Sequence, residues 1–294
     1  MFIGALYPLA AGAAPTLIPA TGPRTVKIEA TSADPQSHPW GSDWKPTALE
    51  QWTAVLACER EGRVERCRFV DGVWWSVVVA GTSELRSIHL PAPGALELQW
   101  SPRGRLATWD VVGDRSAFWT AASNGMLEHV FREPGFVFKP DAQREIGQRI
   151  EQGLVRGLTS GLEWELPKAG ATEGGWRPSQ TPAVARRWSQ STASDDLRFS
   201  VTGEADGQVE LSLAGVASER AAEDSLADLA VQTTVAGDAT FDPQVGIVRA
   251  RIETHTVATD QAPLAGHGRS VVVVTRWAEG EPTTPGEIPA FTLP

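Results

Sequence analysis

The residues with the capacity for chemistry are few and scattered. Among 294 residues there are five histidines, His38, His89, His129, His255 and His267, and no two stand at helical or metal-ligand spacing. There is no H-E-x-x-H, no G-x-S-x-G turn and no glycine-rich phosphate loop ahead of a helix. His129 falls in an alternating stretch beside Glu128 and reads as a polar strand position. Asp195 and Asp196 form a carboxylate pair, but neighbours on a strand point to opposite faces, so the pair reads as a solvated turn. Glu163 and Glu165 share one strand face and read as solvent-facing. No catalytic residue, metal set or cofactor is assigned, and the chain reads as non-enzymatic. A carbohydrate-active enzyme is the catalytic alternative, because two carboxylates distant in sequence leave no motif.

The two cysteines, Cys58 and Cys67, flank a hairpin turn at Glu61-Gly62-Arg63. Strands on either side bring them opposite each other, within disulfide reach; two unpaired thiols are the alternative. Two cysteines without a nearby histidine supply half a tetrahedral metal set.

Charge and composition narrow the partners. A net charge of −10 argues against nucleic acid and against an anionic membrane surface. Apolar content of 41% and charged content of 21% are globular values. The length suits one large core or two ordinary ones. Residues 1–23 carry no charge, and Phe2 to Ala10 is apolar before a small-x-small site at Ala11-Gly-Ala13, so the segment resembles a signal peptide without its basic front. Export, to the outside or a periplasm, is expected. No stretch approaches the roughly 20 apolar residues of a transmembrane helix.

The elements that must position any site read as mainly β. Strands are expected at Trp52–Glu59, Glu65–Phe69, Val73–Ala80, Leu85–Leu90, Ala95–Trp100 and Leu106–Val112. Ser116–Ala121 and Met126–Phe131 read as a further hairpin turning at Ser123-Asn124-Gly125. One helix interrupts the pattern over about 140–160. Pro140 and Asp141 open it, and Ile146, Ile150, Leu154 and Leu158 form one apolar stripe. Gly147, Gly153 and Gly157 each cost about 0.8–1 kcal/mol in a helix interior, so packing against a sheet must hold it. Leu162–Leu166 reads as a returning strand. A second antiparallel β-unit follows, with one helical turn expected near Ser218–Leu226. The expected organisation is a signal-like segment over 1–23, a barrel or strongly curved sheet with one packed helix over 24–168, a linker over 169–186, the second β-unit over 187–279 and a Pro-rich tail over 280–294.

The chain has twelve tryptophans. They read as sheet packing, or as an aromatic wall facing a lipid or sugar. Alternation puts Trp74 and Trp75 on opposite faces.

The segment from Asn124 to Pro167 resembles the N-terminal β-barrel of the large lipid-transfer proteins, the vitellogenin-like group. Asn124–Phe131 takes the place of that family's first strand and Gln143–Leu158 that of its helix, with Arg156-Gly157-Leu158 matching the helix ending R-G-[IL]. Leu162–Pro167 takes the closing strand. The resemblance implies a helix packed into a barrel and a lipid-related role. The chain departs from the family after the barrel, continuing into β-structure where the family has a helical superhelix.

Together these readings lead to an exported protein that binds a lipid or another hydrophobic molecule, with a protein partner also open. The expected lining is Trp74, Trp100, Trp109, Ile146, Ile150, Leu154 and Trp164. The rival is an extracellular structural or adhesion protein with a solid core.

Overall fold

The computed structural model describes residues 23–33, 49–78, 85–131, 138–166, 175–182, 191–205, 207–221, 230–242, 246–258 and 268–278. The signal-like residues before Pro23, the Pro-rich tail, His38 and His267 lie outside them. So do the side chains of His129 and of residues 268–278.

Among the described residues twelve strands form one antiparallel sheet. They are β1 (Pro23–Ala33), β2 (Leu49–Glu61), β3 (Val64–Val78), β4 (Leu85–Leu90), β5 (Ala95–Trp100), β6 (Leu106–Val112), β7 (Ser191–Asp195), β8 (Arg198–Ala205), β9 (Gln208–Ala221), β10 (Ala230–Asp242), β11 (Gly246–Ala258) and β12 (Gly268–Ala278). Their order is β6-β5-β3-β2-β1-β12-β11-β10-β9-β7, with β4 on β3 and β8 on β9. Strands from the first and second β-regions meet at β1 and β12, which pair from Arg24↔Ala278 to Ala33↔Arg269. β1 was not among the expected strands, although Val26, Ile28 and Ala30 alternate with Lys27 and Glu29.

Each half of the sheet ends in the same construction. One long strand carries two short ones end to end: β5 and β4 on β3, and β8 and β7 on β9. The long strand breaks at a glycine, Gly72 with φ 67° and Gly215 with φ 142°. The Leu90 carbonyl leans against Gly72 and the Asp196 carbonyl against Gly215. Only a residue without Cβ fits both that φ and that approach.

Among the described residues two α-helices, not one, cover the sheet. α1 (Ser116–Gly125) runs into a π-helical turn (Met126–Phe131), and α2 spans Pro140–Ser160. The expected hairpin at Ser116–Phe131 is therefore corrected. Phe118, Ala122 and Gly125 are buried, a helical spacing that a two-residue alternation misreads. Asp114 accepts the Ser116 N–H at 2.9 Å and starts the helix. Gly125 meets Ile88 of β4 instead of turning a hairpin. Family correspondence over Asn124–Phe131 falls with that hairpin. α2 matches its expected bounds, with Pro140 in its first turn and Gly161 at its end. Ser218–Ala221 belongs to β9, not to a helical turn.

Leu162–Leu166 is neither helix nor strand; we call Glu163–Leu166 the strap. It replaces the expected returning strand because its backbone bonds run to the β5–β6 turn: the Leu166 N–H donates to the Arg103 carbonyl at 3.1 Å. At its other end Trp164 lies 5.7 Å from Phe199 of β8. In a flat sheet β6 and β8 would stand roughly 40 Å apart, yet three extended residues span only about 10 Å. The sheet therefore curls until its ends approach. Among the described residues no strand pair closes it into a barrel; the strap bridges the gap.

Candidate functional site

The concave face is built by register. Val26, Ile28 and Ala30 of β1 stand opposite Leu56, Ala54 and Trp52 of β2, and all six are buried. The same face continues through Trp75, Val73 and Cys67 on β3, Leu96 and Leu98 on β5, and Val235, Ala239 and Phe241 on β10. Trp52 and Trp75 stack at 5.2 Å with their planes 6° apart. α2 packs on β1, β2 and β12 with Ile150, Leu154, Val155 and Leu158 buried. A Cβ on Gly157 would stand 3.2 Å from Ala30 Cβ, so the missing side chain lets helix and sheet approach.

The helices are joined to each other by one buried acid. Glu151 of α2 accepts from Trp119 Nε1 and, at 3.1 Å, from Arg115 Nη1. The Arg115 guanidinium also lies 5.3 Å from the Trp119 ring centroid. At the other end of the concave face the Cys58–Cys67 disulfide joins β2 to β3. Beside it Arg60 stands opposite Glu65 in the register, both buried, with the Arg60 guanidinium 5.6 Å from the Trp100 ring. Cys58, Glu65 and Cys67 come within ligand distance of one another. The two sulfurs are bonded to each other, so they offer no thiolate to a metal.

The strap is held by side-chain and backbone bonds from two other segments. Arg103 Nη1 pairs with Glu165 Oε1 at 2.6 Å, and Arg103 Nε donates to the Leu166 carbonyl at 2.8 Å. The Ser179 N–H donates to Glu165 Oε2 at 2.6 Å, and Trp176 Nε1 to the Glu165 carbonyl at 2.9 Å. Trp176 in turn bridges to Phe199 through two backbone bonds. Arg105, two residues beyond Arg103, donates to Gln180 and Ser179. Glu165 is thus buried in an ion pair, which corrects its reading as a solvent-facing strand position. Without a strand there, alternation no longer sets its direction.

The expected lining residues divide. Trp100, Ile150, Leu154 and Trp164 lie in one continuous core, with Ile146 packed at its margin. Trp74 points to the opposite face, 49% exposed, with its ring 4.8 Å from His89. Trp109 stands opposite Leu98 on the edge strand β6 and is 42% exposed. His89 is bonded at the Asp71 carbonyl and is exposed, as is His255. Asp195 accepts from Thr181, while Asp196 faces Arg177 at 3.0 Å, so the two carboxylates do not converge. Arg103, Phe199 and Gly237, which hold the strap and its tryptophan, were not singled out from sequence. The glycine interrupting β10 was the one signal available for them.

The fold and this interior define a class: an antiparallel sheet curled over a helical hairpin, its ends joined by a strap. No protein-family model and no curated protein matches the chain. Among solved structures, one described as "lipid-protein interactions in lipovitellin" is similar over 94% of this chain and 27% of its own, with 10% identity and a TM-score of 0.41. The chain thus spans about a quarter of that protein's length.

Proposed function

We propose that the protein is an exported, non-enzymatic binder of a lipid or another hydrophobic molecule, held between α2 and the concave face of the sheet. The observation that carries this reading is the seam between β6 and β8. The two ends of the sheet meet there through a strap and side chains, so the apolar interior opens without breaking a strand ladder. A disulfide suits an oxidising compartment. Among the described residues no helix is long and apolar enough to cross a membrane.

Native mass spectrometry and organic extraction of the purified full chain test the reading. A co-purifying lipid at one equivalent supports it; a clean extract that also takes up no added lipid overturns it. The rival, a structural or adhesion protein with a solid core, draws support from Leu154, Val155 and Leu158, each 0% exposed. It expects no uptake and partner contacts through the open edge of β6.

A further inference from the structure

Three of the buried or half-buried tryptophans on the described elements donate their indole N–H to a protein acceptor. Trp75 Nε1 donates to Glu50, Trp119 Nε1 to Glu151 and Trp176 Nε1 to the Glu165 carbonyl. Trp164 differs from these three. It is fully buried, and its Nε1 has no hydrogen-bond partner. Buried polar groups are nearly always paired, and each exception calls for an explanation.

The space that Trp164 fills has a shape of its own. Its Cη2 comes within 3.4 Å of where a Cβ on Gly237 would stand, and Ile252 Cγ1 closes the same spot at 3.4 Å. Phe199 stands beside the ring. Gly237 does not have a positive φ, but a Cβ there would fall 2.8 Å from the Arg251 carbonyl as well as against the indole; its bareness leaves room for both. The result is a narrow apolar slot in the sheet, filled by a side chain from outside the sheet.

That side chain rides on the strap, which has no ladder of its own. Arg103 holds it through three bonds: the ion pair to Glu165, the Nε bond to the Leu166 carbonyl and the backbone bond from Leu166. A guanidinium already paired with one carboxylate can exchange it for another, and its fork of donors can take the newcomer through two bonds.

We propose that Trp164 is a displaceable plug, that the slot over Gly237 takes the hydrocarbon chain of a long-chain carboxylate, and that Arg103 is both latch and carboxylate receptor. The incoming carboxylate replaces Glu165 on Arg103, the strap swings out at the seam, and the chain enters where the indole lay. The orphaned N–H then reaches solvent, which removes the unpaired group from the interior. This rests on the ligand-binding reading above and narrows it to a ligand class and an entry point.

The test titrates cis-parinaric acid into the full chain and displaces it with palmitate or with hexadecanol. Four proteins are compared: wild type, Trp164→Ala, Glu165→Gln and Arg103→Gln. Trp164→Ala should bind one equivalent about tenfold more tightly, a change of about 1.4 kcal/mol. Glu165→Gln should also bind more tightly, since a competing carboxylate is gone. Arg103→Gln should lose the preference for palmitate over hexadecanol. If Trp164→Ala does not fold, Glu165→Gln decides. Wild-type binding that none of the three changes alters overturns the plug and leaves the ligand-binding reading standing. No binding by any of the four proteins overturns both.

Discussion

Trp119 of α1 lies directly on Gly147 of α2: a Cβ on that glycine would fall 2.9 Å from the indole Cγ and closer still to the Trp119 backbone. The contact sets how closely the two helices approach, and it gives three glycines of one helix three different meanings. Gly147→Ala gains about 1 kcal/mol of helix propensity but forces the helices apart, at about 1–3 kcal/mol for overpacking. The net should be a loss of stability. Gly153 has nothing within 4 Å of its Cβ position, so Gly153→Ala should gain nearly the full propensity difference. Urea unfolding of the two variants checks both signs, and equal shifts would refute the packing account.

The Trp119 indole also ends on Glu151, which is buried and shared with Arg115. Glu151→Ala leaves a half-buried indole N–H and a guanidinium short of an acceptor. Stranding such donors costs about 1–3 kcal/mol. Glu151→Gln keeps one acceptor oxygen and should lose less. A thermal melt that ranks the two variants the other way would show that the carboxylate is a burden on the helical hairpin rather than its link.

Trp74 and Trp75 are adjacent in sequence and opposite in consequence. Trp75 stacks on Trp52, donates to Glu50 and is buried. Trp75→Ala should cost about 3–5 kcal/mol, as for large aromatic truncations in cores. Trp74 stands half in solvent against His89, and Trp74→Ala should cost no more than about 1 kcal/mol. Chemical denaturation separates them. Comparable losses would mean that the exposed face of β3 is covered in the folded protein.

The pattern of Trp74 and Trp75 was legible in the sequence because strand alternation is local. So were the bounds of α2, since Pro140 and Gly161 punctuate it, and the pairing of Cys58 with Cys67 across a short turn. The stretch Ser116–Phe131 misled for an equally local reason: Ser123-Asn124-Gly125 has turn composition, whereas tertiary packing on Ile88 and α2 makes it helical. The strap was illegible for a different cause. Glu163 to Leu166 alternates like a strand, but its direction is fixed by Arg103, about sixty residues earlier in the chain, and no single-sequence period carries a contact of that range. The meeting of β1 and β12 is of the same kind.

Asp114 gives a pH dependence whose sign follows from its bonds. Hydrogen bonds from the Ser116 backbone N–H, and then from the Ser116 hydroxyl, hold its carboxyl below the ordinary value of 3.8. The folded state therefore binds that proton less readily than the unfolded chain. Its stabilising contribution is complete above the unfolded value and is lost as pH falls through the lowered folded value. Asp114→Asn keeps an acceptor for the helix start but does not titrate. The stability difference between wild type and Asp114→Asn should therefore shrink on acidification below about pH 4. Unfolding curves at stepped pH measure it, and a difference that stays constant would remove Asp114 as the titrating group.

The Cys58–Cys67 bridge closes a short loop, with a sequence separation of 9, and both cysteines are buried. By the loop-entropy relation such a bridge contributes roughly 2–3 kcal/mol. Its neighbours raise the stakes of losing it. Arg60 and Glu65 are held opposite each other on the same two strands, and their burial depends on β2 and β3 staying in register. The double variant Cys58→Ala with Cys67→Ala should lower the melting temperature while leaving the far half of the sheet intact. Hydrogen exchange should accordingly accelerate first in β2, β3 and β5, and only later in β9 to β11. Uniform acceleration across all of these strands would instead show that the bridge stabilises the whole sheet as one cooperative unit.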